Sequence, residues 1–211
     1  MNALNSYIDH TLLRPDATFE DIKRLCKEAQ EYKFASICVA PCWVDERIDT
    51  FIGNTNICTV ISFPHGNLGI SDKIRTMLSC GVNEYDIVIN IGNIKSGLWY
   101  DVENEIQTTR RSIPEYTLKY IVEVGYLTDK ELYKIADLLI KHDIEFIKTC
   151  TGYGPRNVSV EDIKKIKAHV GDRINIKASG GIKTRAFAED LIAAGANRIG
   201  SSSSVSIMNE K

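Results

Sequence analysis

The sequence predicts a single (β/α)8 barrel over residues 1–211, and three observations predict it. Short apolar runs alternate with longer segments of helical period along the whole chain. The runs number eight, each four to seven residues long and rich in Ile, Val or Thr, as strands buried on both faces require. No composition break, Pro-rich linker or low-complexity run divides them, and the four serines at 201–204 are too few for a linker. A doubly wound open sheet is the structural alternative, because strand count alone does not separate the two.

The expected strands are 7–12, 36–40, 57–62, 85–90, 118–124, 145–149, 174–178 and 197–200. The first helix covers 18–32: Thr18 starts it, Glu20 and Asp21 fall in its first turn, and Ile22, Leu25 and Ala29 share one face. Helices over 41–51, 71–80 and 93–111 follow the second, third and fourth strands. Residues 128–142 open on a capping box of Thr128 and Glu131. Helices over 159–169 and 184–194 complete the set, with Gly195 as a stop signal, and a short segment after Ser201 remains for an eighth.

Composition narrows the class. Hydrophobic residues make up 44% and charged residues 26% of the 211, the balance of a soluble globular protein and not of collagen, a coiled coil or a disordered chain. A formal charge of −2 argues against binding nucleic acid or anionic membranes through bulk charge. The first ten residues have neither a basic nor an apolar signal region, and no run of 18 apolar residues exists, so a cytoplasmic protein is expected. The six cysteines form no C-x-x-C pair; Cys38 and Cys42 have a weak metal spacing with Pro41 between them, so no metal is expected. Trp43 and Trp99 are candidate anchors of a homo-oligomer interface, and an amphipathic barrel helix accounts for either equally well.

Parity along each strand identifies what points into the barrel. In 85–90, Ile87 and Ile89 belong under the helices, which sends Asp86 and Asn90 inward. The same argument sends Lys148 inward opposite Ile147, Lys177 inward opposite Ile176, and Asp9 and Glu123 inward from their strands. Cys38 and Cys150 are expected inside as well. His10 has the outward parity and His65 sits in a loop at the catalytic end, so neither is placed in the chemistry. Two lysines beside a carboxylate near strand C-termini suit imine chemistry. A second ammonium about 4 Å away, at an effective dielectric near 20, lowers a lysine's pKa by roughly three units. One lysine is then a nucleophile toward carbonyls while the other stays charged beside the carboxylate.

The loops after the seventh and eighth strands carry Ser179-Gly180-Gly181 and Gly200-Ser201-Ser202-Ser203. Glycine there lets backbone N–H groups approach an anion, and these loops are the usual phosphate site of such barrels. Thr151-Gly152 extends the cradle.

With these motifs in place, the sequence resembles the deoxyribose-phosphate aldolase family of class I aldolases, through DHTLLRPDAT (9–18), NEYDIVINIG (83–92), IKTCTG (147–152), KASGGI (177–182) and RIGSSSS (198–204). The resemblance implies a (β/α)8 barrel that reversibly cleaves 2-deoxy-D-ribose 5-phosphate to glyceraldehyde 3-phosphate and acetaldehyde without a cofactor. It implies Lys148 as the Schiff-base lysine, Lys177 as its partner and Asp86 as the acid/base aspartate. Gly152, Gly180, Gly181, Gly200, Ser202 and Ser203 match the family's phosphate loops. Cys150 stands where serine is common, Arg14 where lysine is common, and the chain stops at Lys211 without the longer tail of some members. Proton transfer is therefore expected to use water held by Asp86 and Lys177. Sugar phosphate and aldehydes are the implied partners. Another Schiff-base sugar-phosphate aldolase or a transaldolase-like barrel is the nearest competing reading. A phosphate-binding isomerase or decarboxylase, and a non-catalytic metabolite-binding barrel, are the others.

Overall fold

The protein is described by a computed structural model over residues 3–210. Eight parallel strands close into one barrel in sequence order: β1 (Ile8–Leu12), β2 (Ser36–Val39), β3 (Asn56–Ile61), β4 (Glu84–Val88), β5 (Thr117–Ile121), β6 (Phe146–Lys148), β7 (Asn175–Ser179) and β8 (Arg198–Ser201). Closure is made by β8 pairing with β1, Asp9 opposite Gly200. The open doubly wound sheet is thereby excluded, and the TIM-barrel architecture is the observed one.

Helices form the outer layer: α1 (Phe19–Tyr32), α2 (Glu46–Ile52), α3 (Ile70–Cys80), α4 (Ile91–Lys95), α5 (Trp99–Ser112), α6 (Asp129–Lys141), α7 (Val160–Val170), α8 (Arg185–Ala193) and α9 (Ser204–Asn209). Local chemistry sets their starts. Thr18 with Asp21, Thr128 with Glu131 and Ser159 with Asp162 form reciprocal capping boxes, each satisfying donors the first turn leaves open. The main core lies between the sheet and the helices, where Ile37, Ile87, Ile147 and Ile176 meet residues such as Ile22, Ile106, Leu139 and Ile166. A second cluster, Cys38, Cys58 and Val60, fills part of the barrel interior.

Two expected helices are divided. The 93–111 pattern begins earlier, at Ile91, and breaks at Gly97, whose φ of 70° turns the chain between α4 and α5. In 41–51, a 3-10 turn at Pro41–Trp43 precedes α2, because Val44 is extended. Trp43 and Trp99 are partly buried and pack against the core, and Lys134 Nζ lies 4.2 Å over the Trp99 ring. No helix of the described residues is long and apolar enough to cross a membrane. Lys211, where the expectation of a short tail rests, lies outside the described residues.

Candidate active site

Every strand contributes an ionisable side chain to one cluster inside the barrel: Asp9 from β1, Cys38 from β2, Cys58 from β3, Glu84 and Asp86 from β4, Lys119 from β5, Lys148 from β6, Lys177 from β7 and Arg198 from β8. Register explains the assembly. Lys148 stands opposite Lys177, which stands opposite Arg198, and Asp86 stands opposite Lys119 on the neighbouring strand. Parity then turns these side chains to the same side.

Asp86 is the centre. Its Oδ2 lies 2.7 Å from Lys148 Nζ and 2.7 Å from Lys177 Nζ. Its Oδ1 accepts from Cys58 Sγ at 3.2 Å and lies 3.2 Å from Lys119 Nζ. Lys177 also reaches Asp9 Oδ2 at 2.5 Å, Lys119 reaches Glu84 Oε2 at 2.5 Å, and Arg198 donates to Asp9 Oδ1 at 2.7 Å. Burial alone would push the Asp86 and Asp9 carboxyls up. For Asp86 the ammonium groups of Lys148, Lys177 and Lys119 outweigh burial, and for Asp9 those of Lys177 and Lys119 with Arg198 do so, holding both below the usual carboxylate range. Burial likewise opposes the charged forms of Lys177 and Lys119. The carboxylates around them win, Asp86 and Asp9 for Lys177 and Asp86, Asp9 and Glu84 for Lys119, and both lysines stay charged.

The expectation of two bare ammonium groups repelling each other is thus incomplete, because a shared carboxylate lies between them and a third lysine stands behind it. Cys38 Sγ, Cys58 Sγ and an Asp86 oxygen lie within 4.8 Å of one another, a spacing open to a metal ion. The three ammonium groups on the same carboxylate compete with any such cation. Cys42 is exposed and takes no part.

Above the cluster a cavity of about 320 Å³ opens at the C-terminal end of the barrel, with Lys148 among its lining residues. Gly152, Gly180, Gly181, Gly200 and Ser202 line the same cavity. At Gly181 (φ 76°) a Cβ would stand 2.4 Å from Asn157 Cγ, so the turn admits no side chain there. Ser203 is not in the lining: its backbone N donates to Ser201 Oγ at 2.9 Å as the chain turns into α9. Two cationic residues, Arg14 and Lys183, join the lining. Their sequence signal is a basic residue beside each motif, five residues after Asp9 and two after Gly181.

Three interior assignments fail for one physical reason: parity holds only while the chain remains a strand. β5 stops at Ile121, and Glu123 (φ 53°) turns its buried carboxylate to the loop after β6, accepting from Thr151 N at 2.9 Å and from Thr151 Oγ1. β4 stops at Val88, and Asn90 caps α4 by accepting from Asn93 N at 3.1 Å. β6 stops at Lys148, and Cys150 joins the outer core, where burial pushes its thiol up to about 12. Lys119 and Glu84 were legible by the same rule, since each shares the parity of a residue read as inward, Glu123 and Asp86 respectively. His10 faces outward, bonded to Glu28 at 2.7 Å and packed on Phe34. His65 borders a smaller cavity beside Glu123 and Thr151.

Comparison with known proteins shows the family and the fold. The profile of the DeoC/LacD family aldolases matches residues 4–206. A deoxyribose-phosphate aldolase of Treponema denticola is 42% identical over 214 residues, covering 99% of both chains. The solved structure of QR15, an aldolase, superposes with a TM-score of 0.94 at 34% identity, over 99% of this chain and 96% of that one. A tetrameric deoxyribose phosphate aldolase of Aeropyrum pernix follows with a TM-score of 0.88 at 27% identity, over 98% and 89%. The chain belongs to the DeoC/LacD family of aldolases.

Proposed function

We propose that this chain reversibly cleaves 2-deoxy-D-ribose 5-phosphate to D-glyceraldehyde 3-phosphate and acetaldehyde through an imine on Lys148. The observation that carries the reading is the pair of contacts from Lys148 Nζ and Lys177 Nζ to Asp86 Oδ2, both 2.7 Å, beneath a cavity walled by Gly180, Gly181, Gly200 and Ser202. Lys148 touches one carboxylate and lines the cavity, whereas Lys177 touches two and is fully buried. Lys148 is therefore the amine that meets the substrate, and Lys177 the lasting cation.

In the reaction the Lys148 amine adds to C1 of the open-chain sugar phosphate, and the carbinolamine loses water to give an iminium ion. The C3 hydroxyl loses its proton as the C2–C3 bond breaks, and that electron pair moves into the iminium to give an enamine. The enamine takes a proton at C2, and water releases acetaldehyde and the free amine. In the resting cluster Asp86 is saturated by three ammonium groups and the Cys58 thiol, which makes it a poor base. The iminium keeps the positive charge of Lys148 until the C2–C3 electron pair neutralises it to the enamine, so the basicity of Asp86 rises as that bond breaks. Lys177 then holds the other end of the proton path, through a water between Asp86 and the sugar hydroxyl.

The phosphate sits against the backbone of Gly152, Gly180 and Gly181, with Ser202, Arg14 and Lys183 adding donors and positive charge. Holding the remote phosphate converts binding energy into orientation of C1 toward Lys148. The partners are the sugar phosphate and the two aldehydes; a homo-oligomer, as in the tetrameric Aeropyrum pernix relative, belongs to the same reading. Incubation with 2-deoxyribose 5-phosphate and coupled detection of glyceraldehyde 3-phosphate tests it. Steady release supports the reading, and no release with other sugar phosphates cleaved would transfer it to another Schiff-base aldolase.

A further inference from the structure

The interior cluster holds an odd number of fixed charges. With the thiols protonated, Lys119, Lys148, Lys177 and Arg198 face only Asp9, Glu84 and Asp86. Four cations against three carboxylates leave one surplus positive charge in a largely buried space, where charge imbalance is costly. Loss of a single proton balances the set.

The members differ in how well they are compensated. Lys177 touches Asp9 and Asp86, and Lys119 touches Glu84 and Asp86 with Asp9 at 4.0 Å. Lys148 has one carboxylate oxygen, shared with Lys177. Arg198 cannot give up its proton at any ordinary pH. It enters from the first position of β8, with its side chain 17% exposed and its guanidinium 5.6 Å from the centre of the Phe146 ring. From there it donates to Asp9 Oδ1 at 2.7 Å and lies 3.7 Å from Glu84 Oε2. Those are the two carboxylates that hold Lys177 and Lys119 from behind.

We propose that Arg198 is a positioning residue of the imine chemistry: its fixed charge, spent on Asp9 and Glu84, creates the surplus that favours release of one lysine proton. Without it, three lysines face three carboxylates, and the balanced set retains all its protons. The effect reaches the reacting amine through Asp9 and Lys177 and requires no contact between Arg198 and substrate. This inference rests on the proposed imine at Lys148.

The test is the pH dependence of kcat/KM in Arg198→Gln and Arg198→Lys, whose ascending limb reports the ionisation that frees the amine. Arg198→Gln should move that limb up by about one pH unit, a loss of about tenfold at fixed pH below it. Arg198→Lys, which keeps the charge, should return it to within a few tenths of wild type. Glu84→Gln removes a negative charge from the same cluster and should move the limb the opposite way, which keeps the proposal testable where Arg198→Gln does not fold. An unmoved limb in Arg198→Gln, or equal limbs in Glu84→Gln and wild type, overturns the assignment. Borohydride trapping of substrate on Lys148 separates the two levels. Trapping retained with unmoved limbs removes only the role of Arg198, whereas failure to trap in the wild type removes the imine reading beneath it.

Discussion

Lys148 on β6 and Lys177 on β7 stand directly opposite each other in register, and their ammonium groups meet the same Asp86 oxygen at 2.7 Å. One carboxylate thus holds two cations that would otherwise repel each other across neighbouring strands. Lys177→Met leaves Asp9 and Asp86 facing one fewer cation and removes the group proposed to carry the proton path. The expected result is a fall in kcat of at least roughly 10²-fold, with substrate still trapped slowly on Lys148. Steady-state kinetics beside single-turnover borohydride trapping checks it, and a kcat within twofold of wild type contradicts it.

The Glu123 carboxylate fastens the loop after β6 by accepting from Thr151 N and Oγ1, and Gly154 packs so closely that a Cβ there would stand 2.5 Å from Glu123 Oε1. Thr151 and Gly152 of this loop line the cavity assigned to substrate. Glu123→Ala should raise KM for the sugar phosphate by about 10-fold, the scale of a lost hydrogen bond to a charged group. Acetaldehyde trapping on Lys148 should be little changed. Gly154→Ala should have the same signature through the clash. A fall in trapping equal to the change in KM would contradict this division of labour.

Outside the barrel, Lys73 of α3 is fully buried and clips the end of β4 in place, with Nζ 2.7 Å from both Val88 O and Glu105 Oε1. Glu105 in turn accepts from Asn90 N at 3.3 Å, one residue beyond Ile89. Lys73→Met strands a buried carboxylate and a buried carbonyl, and should cost about 3–5 kcal/mol of stability. Chemical denaturation reads this directly. Lys73→Met with Glu105→Leu should recover part of the loss, since the uncompensated charge goes with its partner.

Stability should depend on acid in a specific direction. The Asp86 and Asp9 carboxyls titrate below the unfolded value of about 3.9 because the neighbouring cations outweigh burial. Their contribution is complete above that unfolded value and disappears as pH falls through the folded ones. The urea midpoint should therefore fall as the pH drops below about 4. Asp86→Asn should flatten the acid side of that curve. An unchanged slope in Asp86→Asn would contradict the assignment.

The amino-acid sequence carried the barrel and the heart of the site because both rest on periodicity. Asp86, Lys148 and Lys177 sit inside strands, where alternation determines facing, and the structure brings them together. Beyond the strand ends that rule lapses, which is why Glu123, Asn90 and Cys150 turn away from the interior. Lys119 was readable by parity, but its side chain runs to a carboxylate two strands from the imine lysine's own strand, and only the closed register shows the meeting. Lys73 was hidden more deeply. On a surface helix a lysine normally faces water, and only the packing of α3 on α5 reveals its partner.

The central claim is that Lys148 forms the imine. Borohydride reduction in the presence of 2-deoxyribose 5-phosphate or acetaldehyde, followed by peptide mass spectrometry, tests it most directly. A two-carbon adduct on the peptide carrying Lys148, absent without substrate and absent in Lys148→Ala together with activity, is the predicted result. An adduct on Lys177 or Lys119, or full activity in Lys148→Ala, would contradict it.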